Sequence, residues 1–376
     1  MGKLRLGYPR FRQPPVAIFG GGSRKVIVTE ELWRDAVLFV SGQERANVMV
    51  AETLGGLASS VPTLTKPPGE PTVEMVRHGA DFLRRNPARR VIGVGGGSVL
   101  DWCRLSWARR WDLIPDVYPA GGVVEFDTPS LPDFVLVPTT CASGAEGSAV
   151  AVVMDSIGRK VAVRSPNLLA STVILDGQFL SGVAEHRMAA SLADVLSHGI
   201  ESFVSLAHSA FAEDAALASL RRVFGCLGAP DSSGRDQTLL EAAYLAGVAA
   251  SNSSVGIVHA FAHSVARHGV SHGLGNALGL MAGIRSNAET NAMKDLVARL
   301  HLKSTDELLE WVSRAVGPAI RDVGSLLAES LTRHESRREL ATAMMADACI
   351  RTNPVRVDDA DVNRFLEDVG TLTGVQ

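Results

Sequence analysis

Near residue 180 the chain changes its pattern, and the change separates two kinds of fold. Before it, short β-branched runs alternate with glycine loops and amphipathic segments: VAIF (16–19), AVLFVS (36–41), RVIGVG (90–95), FVLVP (134–138) and TVILD (172–176). Residues 71–86, between the second and third runs, repeat their apolar side chains at helical spacing. Strands alternating with helices imply a parallel, doubly wound sheet. AVAVVMD (149–155) and KVAVRS (160–165), joined across Gly158, read as an added hairpin. After Asp176 the strands stop. Segments 186–206, 210–226, 236–250, 256–268, 274–287, 305–316, 320–332, 336–351 and 359–370 carry the period of helices, many of them rich in alanine. A chain of 376 residues is long enough for two cores. The expectation is an α/β domain with a parallel sheet over 1–180 and an all-helical domain over 181–376.

Charge and cysteine usage narrow the partners. The formal net charge is only -3, and no lysine-rich or arginine-rich block would track a nucleic-acid backbone or an anionic membrane. No run approaches the roughly 20 apolar residues of a membrane span. The start, MGKLRLGYPRFRQPP, has basic residues but no apolar segment after them, unlike a secretory signal. Cys103, Cys141, Cys226 and Cys349 are scattered without CxxC spacing, which fits reduced thiols in a cytoplasmic protein.

Two loops and one strand end suggest a nucleotide site. The run RVIGVG leads into Gly95, Gly96, Gly97 and Ser98, then into the helical VLDWCRLSWA. Glycines after a strand let backbone approach a pyrophosphate, and the next helix offers free amides and a positive dipole end. The loop lacks the GxGxxG pattern, so a plain tight turn is the other reading. Asp101, one turn into the helix, either orients the loop or interacts with the helix N-terminus. Thr139, Thr140 and Ser143 follow the fourth run, placing hydroxyls where open α/β sheets bind ligands, or forming an ordinary polar turn. At the end of the second run, Ser41-Gly42-Gln43 lacks the acid that commonly binds the adenosine ribose hydroxyls of NAD. Its absence, with Arg45 just beyond, points to NADPH; otherwise Gly42 simply shapes a turn and NADH serves as well.

Four histidines fall within fourteen residues at His259, His263, His268 and His272. His259 and His263 are four apart, on one helical face, and Gly269 should stop that helix before His272. A lone histidine is usually a satisfied core or surface residue. A second pair, Asp194 and His198, is also four apart on an apolar helix, where a carboxylate needs a partner or a cation. The alternative is an Asp–His hydrogen bond inside the bundle; taken together, one carboxylate and three imidazoles suit divalent iron or zinc.

In order and spacing, GGGSVLDWCR (95–104), VPTTCASGAE (137–146), RKVAVRSP (159–166) and DVLSHGIES (194–202) resemble the iron-containing, or group III, alcohol dehydrogenase family. GIVHAFAHSVA (256–266), HGLGNAL (272–278) and NP (353–354) extend the resemblance over nearly the whole chain. It implies a dehydroquinate synthase-like architecture: a dinucleotide-binding α/β domain, a helical metal-binding domain and an active site between them. Matched by position, Asp194, His198, His259 and His272 would hold Fe2+, with Zn2+ as the alternative. His263 would lie near substrate and nicotinamide and relay a proton. Gly95, Gly96, Gly97 and Ser98 would form the pyrophosphate loop, and Thr139, Thr140, Ser143 and Lys160 would make other cofactor contacts. Arg104 departs from the family's usual lysine, Ser264 from its usual proline, and Gly177 from the proline that often follows Asp176.

The resemblance implies reversible hydride transfer between the nicotinamide and a carbonyl carbon, the metal polarising the carbonyl. Arg267 and His268, beside the metal loop, suit an anionic group on the substrate; alternatively Arg267 faces solvent or makes a helix-end ion pair. Phosphonoacetaldehyde, reduced to 2-hydroxyethylphosphonate in phosphonate biosynthesis, fits the first reading. Succinic semialdehyde, glycolaldehyde or a maleylacetate-type reduction are alternatives. A sugar-phosphate cyclase of the dehydroquinate synthase type shares the architecture but uses a different ligand set. The expected partners are a small aldehyde or alcohol and a second copy in a homodimer.

Overall fold

The computed structural model describes residues 10–118, 123–128, 133–229, 233–320, 331 and 333–372. Among them, the strands in chain order are β1 (Val16–Phe19), β2 (Ala36–Val40), β3 (Thr63–Thr65), β4 (Arg90–Gly95), β5 (Val123–Glu125), β6 (Asp133–Pro138), β7 (Val150–Met154), β8 (Lys160–Arg164) and β9 (Thr172–Leu175). Six form the main sheet in the order β1-β9-β6-β4-β2-β3, every pairing parallel, as the alternating pattern implies. The expected hairpin is present: β7 and β8 pair antiparallel, and β5 joins β8 in parallel. The three-residue strands β3 and β5 are additions to the sequence reading.

Helices α1 (Val26–Thr29), α2 (Glu44–Leu54), α3 (Val73–Arg85) and α4 (Gly97–Arg110) connect the strands. Alternate residues of the central strands feed two cores, as a period of two requires. Val37, Phe39, Val91, Phe134 and Leu136 enter one cluster with Trp102 and Leu105 of α4. Leu38, Val40, Ile92, Val94, Val135 and Val137 enter the other, with Ile27, Met49 and Leu54. The first cluster continues into the helical half, so the sheet and the bundle share buried surface.

That half consists of α5 (Glu185–Val204), α6 (Ala210–Gly228), α7 (Arg235–Ser253), α8 (Ile257–Val265), α9 (His272–Asn287), α10 (Asn291–Arg299), α11 (Thr305–Ile320), α12 (His334–Ala346) and α13 (Asp359–Leu372). The helix read at 320–332 lies almost wholly outside the described residues. Buried along most of its length, α5 packs against α6, α7, α9 and α11. Through α7 the bundle is fastened to the α/β half: Gly177 N, just past β9, donates to Gln237 Oε1 (2.8 Å), and Ala149 N, just before β7, donates to Ser251 Oγ (3.0 Å). Gly144, at φ +60°, meets Gly247 backbone to backbone; a Cβ on Gly247 would lie 2.0 Å from the Gly144 carbonyl oxygen. No single helix among the described residues is long and apolar enough to cross a membrane.

Candidate active site

Ligands of doubly wound sheets settle at the carboxyl ends of the strands, where the strand order reverses. Here the chain steps outward from β2 to β3 and returns on the other side of β2 as β4. Gly42 follows β2, Gly95–Ser98 close β4, and Thr139–Ser143 follow β6, whose Pro138 pairs with Gly95. The two loops fit together through missing side chains. A Cβ on Gly96 would lie 3.1 Å from Thr140 Oγ1, and one on Gly97 would lie 2.4 Å from Ser143 Oγ. No side chain caps the start of α4, so its first amides stay available to an anion. Thr139 Oγ1 is buried without a hydrogen-bond partner. Gly42 is held close to β3's exit, where its Cβ would meet the Lys66 carbonyl oxygen at 2.9 Å. Arg45 donates to the Gln178 carbonyl (3.2 Å).

Asp101 binds other protein groups. Its carboxylate accepts from Arg104 Nη2 (2.6 Å) and from Val152 N (2.9 Å), tying α4 to β7. Arg104 is wholly buried and also donates to the carbonyls of Leu100, Ser148, Val150 and Leu168, so its fork of donors is filled. Lys160 pairs with Glu70 at 3.1 Å. Its positive charge still reaches Asp194 and His259, and Asp194 in turn acts on Cys141 of the hydroxyl loop. The sheet edge and the histidine cluster therefore share one electrostatic neighbourhood.

At its centre Asp194 and His198 project from α5, and His259 projects from α8. Gly269 adopts a left-handed conformation (φ +79°), which ends that segment and lets the chain return as α9, beginning at His272. Three imidazole nitrogens face one carboxylate oxygen: His198 Nδ1 at 3.7 Å, His259 Nε2 at 3.8 Å and His272 Nε2 at 3.4 Å from Asp194 Oδ1. His198 Nδ1 and His259 Nε2 are buried and have no hydrogen-bond partner. Buried polar atoms are normally satisfied; two lone pairs aimed at a buried carboxylate are what a cation needs. Asp194, His198 and His259 place ligand atoms within 4.8 Å of one another. Burial pushes Asp194 up, but His272 and His198 outweigh it and bring the carboxyl down to about 2. Burial lowers His198 and His259, which keeps both imidazoles neutral and able to bind a metal. The residues fit Fe2+ or Zn2+, held by Asp194, His198 and His259 with His272 alongside.

Three supporting residues escaped the sequence reading. Glu201 Oε2 lies 2.6 Å from His259 Nδ1, and its other oxygen accepts Val258 N at 2.7 Å. With Nδ1–H donated to Glu201, His259 presents Nε2 to the ion. Burial pushes Glu201 up to about 7, against the backbone amides of Gly256, Val258 and His259. Asn276 donates to Asp194 Oδ1 at 2.7 Å. Asp347 lies 2.9 Å from His263 Nδ1. Glu201 stands seven residues after Asp194 and Asn276 four after His272, spacings that share a helical face and could have signalled both. Nothing local pointed to Asp347.

His263 joins the cluster, its ring stacked on that of His272 at 5.3 Å and 16°. Arg267 and His268 are placed differently. Arg267 is exposed and lines a cavity of about 810 Å³ with Glu335, Arg338, Glu339 and Thr342 of α12; none of the metal residues forms its wall. His268 is half-buried, and its Nε2 has no partner among the described residues.

Both parts of the chain match models of one family. Residues 14–177 match iron-containing alcohol dehydrogenase, and residues 188–370 match the C-terminal domain of the Fe-containing alcohol dehydrogenase family. The chain belongs to the iron-containing alcohol dehydrogenase family, oxidoreductases that act on CH–OH and aldehyde groups. Among its relatives, the probable alcohol dehydrogenase EutG of Salmonella typhimurium is 28% identical over 94% of this chain and 92% of that protein. Sulfoacetaldehyde reductase of Bilophila wadsworthia is 30% identical over 51% of this chain and 50% of that protein. The fold is that of sulfoacetaldehyde reductase from Bifidobacterium kashiwanohense, solved in complex with NAD+: TM-score 0.85 and 20% identity over 97% of this chain and 99% of that one.

Proposed function

We propose that the chain is a metal-dependent aldehyde reductase that prefers NADPH and acts on a short anionic aldehyde, with phosphonoacetaldehyde, giving 2-hydroxyethylphosphonate, first among candidates. The observation that carries the reaction class is the pair of orphaned imidazole nitrogens facing Asp194. Bound there, the ion supplies Lewis acidity and the nicotinamide supplies hydride. The protein does the rest. Gly95, Gly96, Gly97 and Ser98 let backbone and the α4 amides approach the pyrophosphate, while Thr139, Thr140 and Ser143 offer hydroxyls beside it. Asp101 and Arg104 hold α4 against β7 behind that loop. His263 passes the proton to the product oxygen, so aldehyde, NADPH and one proton give alcohol and NADP+.

The missing acid at Ser41-Gly42-Gln43 supports NADPH over NADH. Two relatives named as sulfoacetaldehyde reductases support a two-carbon aldehyde with a tetrahedral oxyanion, a description phosphonoacetaldehyde shares. Sulfoacetaldehyde is accordingly the second reading. Arg267, exposed in a cavity whose walls include none of the metal residues, is not assigned to the anionic end. We take the working unit to be a cytoplasmic homodimer, with the cofactor on 1–180 and the metal on 181–376.

The test is NADPH and NADH oxidation by the Fe2+-loaded protein with phosphonoacetaldehyde, sulfoacetaldehyde, succinic semialdehyde, glycolaldehyde and longer uncharged aldehydes. A kcat/KM for one of the two oxyanionic aldehydes at least about tenfold above the uncharged ones supports the substrate class. Equal rates with uncharged aldehydes overturn it. Turnover of a sugar phosphate with phosphate release and no net cofactor oxidation overturns the reductase. His272→Ala should lose both ion and activity.

A further inference from the structure

His263, Asp347 and Cys349 form a second cluster, with ligand-type atoms all within 4.8 Å of one another. It differs from the Asp194 set in one chemical respect. There, two imidazole nitrogens are buried without partners. Here the imidazole and the carboxylate already have partners: His263 Nδ1 lies 2.9 Å from Asp347 Oδ2, and Asp347 Oδ1 accepts the backbone amide of Cys349 at 2.8 Å. Groups already paired leave no vacancy for a resident ion, whereas a carboxylate on one imidazole nitrogen fixes the ring and its tautomer. We propose that Asp347 is a positioning residue: it binds the Nδ1–H of His263 and so leaves Nε2 to carry the relayed proton. The inference rests on the reading of His263 as that relay.

The carboxylate is itself held rigid. Asp347 caps the turn Ala348–Thr352, and that turn is fastened to the surroundings of α8. Thr352 Oγ1 donates to the Val255 carbonyl (2.6 Å), the Thr352 carbonyl accepts Leu206 N (2.9 Å), and Asn353 Oδ1 accepts Ile257 N (3.3 Å). The turn that carries Asp347 is thus anchored at the start of the helix that carries His259 and His263. On its other side the His263 ring lies nearly parallel to His272. An imidazole gripped at one nitrogen and stacked on one face has a single orientation. Without Asp347 the ring is free to turn over and present Nδ1 instead. The side chains of His263 and Asp347 remain 30% and 18% exposed, open enough for a proton to be replaced from water.

The experiment uses the iron-loaded full chain and compares wild type, Asp347→Asn, His263→Ala and the double variant, with metal content and melting temperature measured for each. The expected result is a kcat about tenfold or more lower in Asp347→Asn, with KM changed less than about twofold. Metal content should stay at one ion per chain, and the double variant should be no slower than His263→Ala. Full activity in Asp347→Asn, or losses that multiply in the double variant, overturns the role of Asp347. So does a second ion per chain that Asp347→Asn removes, because the cluster is then a metal site. Full activity in His263→Ala overturns the relay reading itself, an outcome distinct from a slow His263→Ala beside a normal Asp347→Asn. A variant that loses its ion or its cooperative melt shows a structural role and also overturns the proposal.

Discussion

Glu201 and His259 lie 2.6 Å apart on two different helices, and the same carboxylate accepts the Val258 amide near the start of α8. One buried side chain therefore both anchors a helix terminus and aims an imidazole. Glu201→Gln keeps the shape but removes the carboxylate, and it should weaken metal affinity about 10–100-fold. Competition with a chelator of known affinity measures this; unchanged affinity would show that something else orients His259.

Glu146 gives a pH-dependent prediction away from the metal. Burial pushes its carboxyl up to about 7 from an ordinary 4.5, and its Oε1 has no partner. A folded-state value above the unfolded one means that the group's stabilising contribution is complete below 4.5 and lost as pH rises through about 7. Glu146→Gln carries no such penalty. Its melting temperature should gain on wild type between about pH 4.5 and about pH 7 and hold that gain above it. A difference that stays constant over that interval refutes the assignment.

Gly247→Ala forces a methyl group to within 2.0 Å of the Gly144 carbonyl oxygen, where the neighbour is backbone and cannot rotate away. The cost should be about 1–3 kcal/mol in chemical denaturation. Because the displaced loop carries Ser143, the KM for the nicotinamide cofactor should rise as well.

Arg104→Lys keeps the charge but not the fork. Arg104 contacts Asp101 and four carbonyls in a fully buried setting, and a lysine has one point of attachment. Destabilisation of about 2 kcal/mol or more is expected, read from the denaturation midpoint. A neutral result would mean that water replaces the lost donors.

The legibility of the fold followed from burial. Strands β2, β4 and β6 are enclosed on both faces, so they appear as unbroken apolar runs. By contrast, β3 and β5 have three residues each, two of them exposed, too little pattern to detect. For α2 the buried face consists of Ala46, Met49 and Leu54 alone, too sparse an apolar face to mark a helix in the sequence. Within the site, helical spacing exposed Asp194, His198 and His259, because both members of each pair lie on one helix. Asp347 is 84 residues from His263 in sequence, and the two meet only after the terminal segments pack on α8. Closeness in sequence suggests that Arg267 is a neighbour of the metal, but its side chain is exposed in a cavity facing α12, whose walls include none of the metal residues.

The meeting of Gly144 and Gly247 also limits how such an enzyme can diverge. Neither glycine has room for a side chain unless the other backbone retreats, so the hydroxyl loop and α7 can change position only together. Any new substrate range has to be reached by exchanging side chains around a fixed frame.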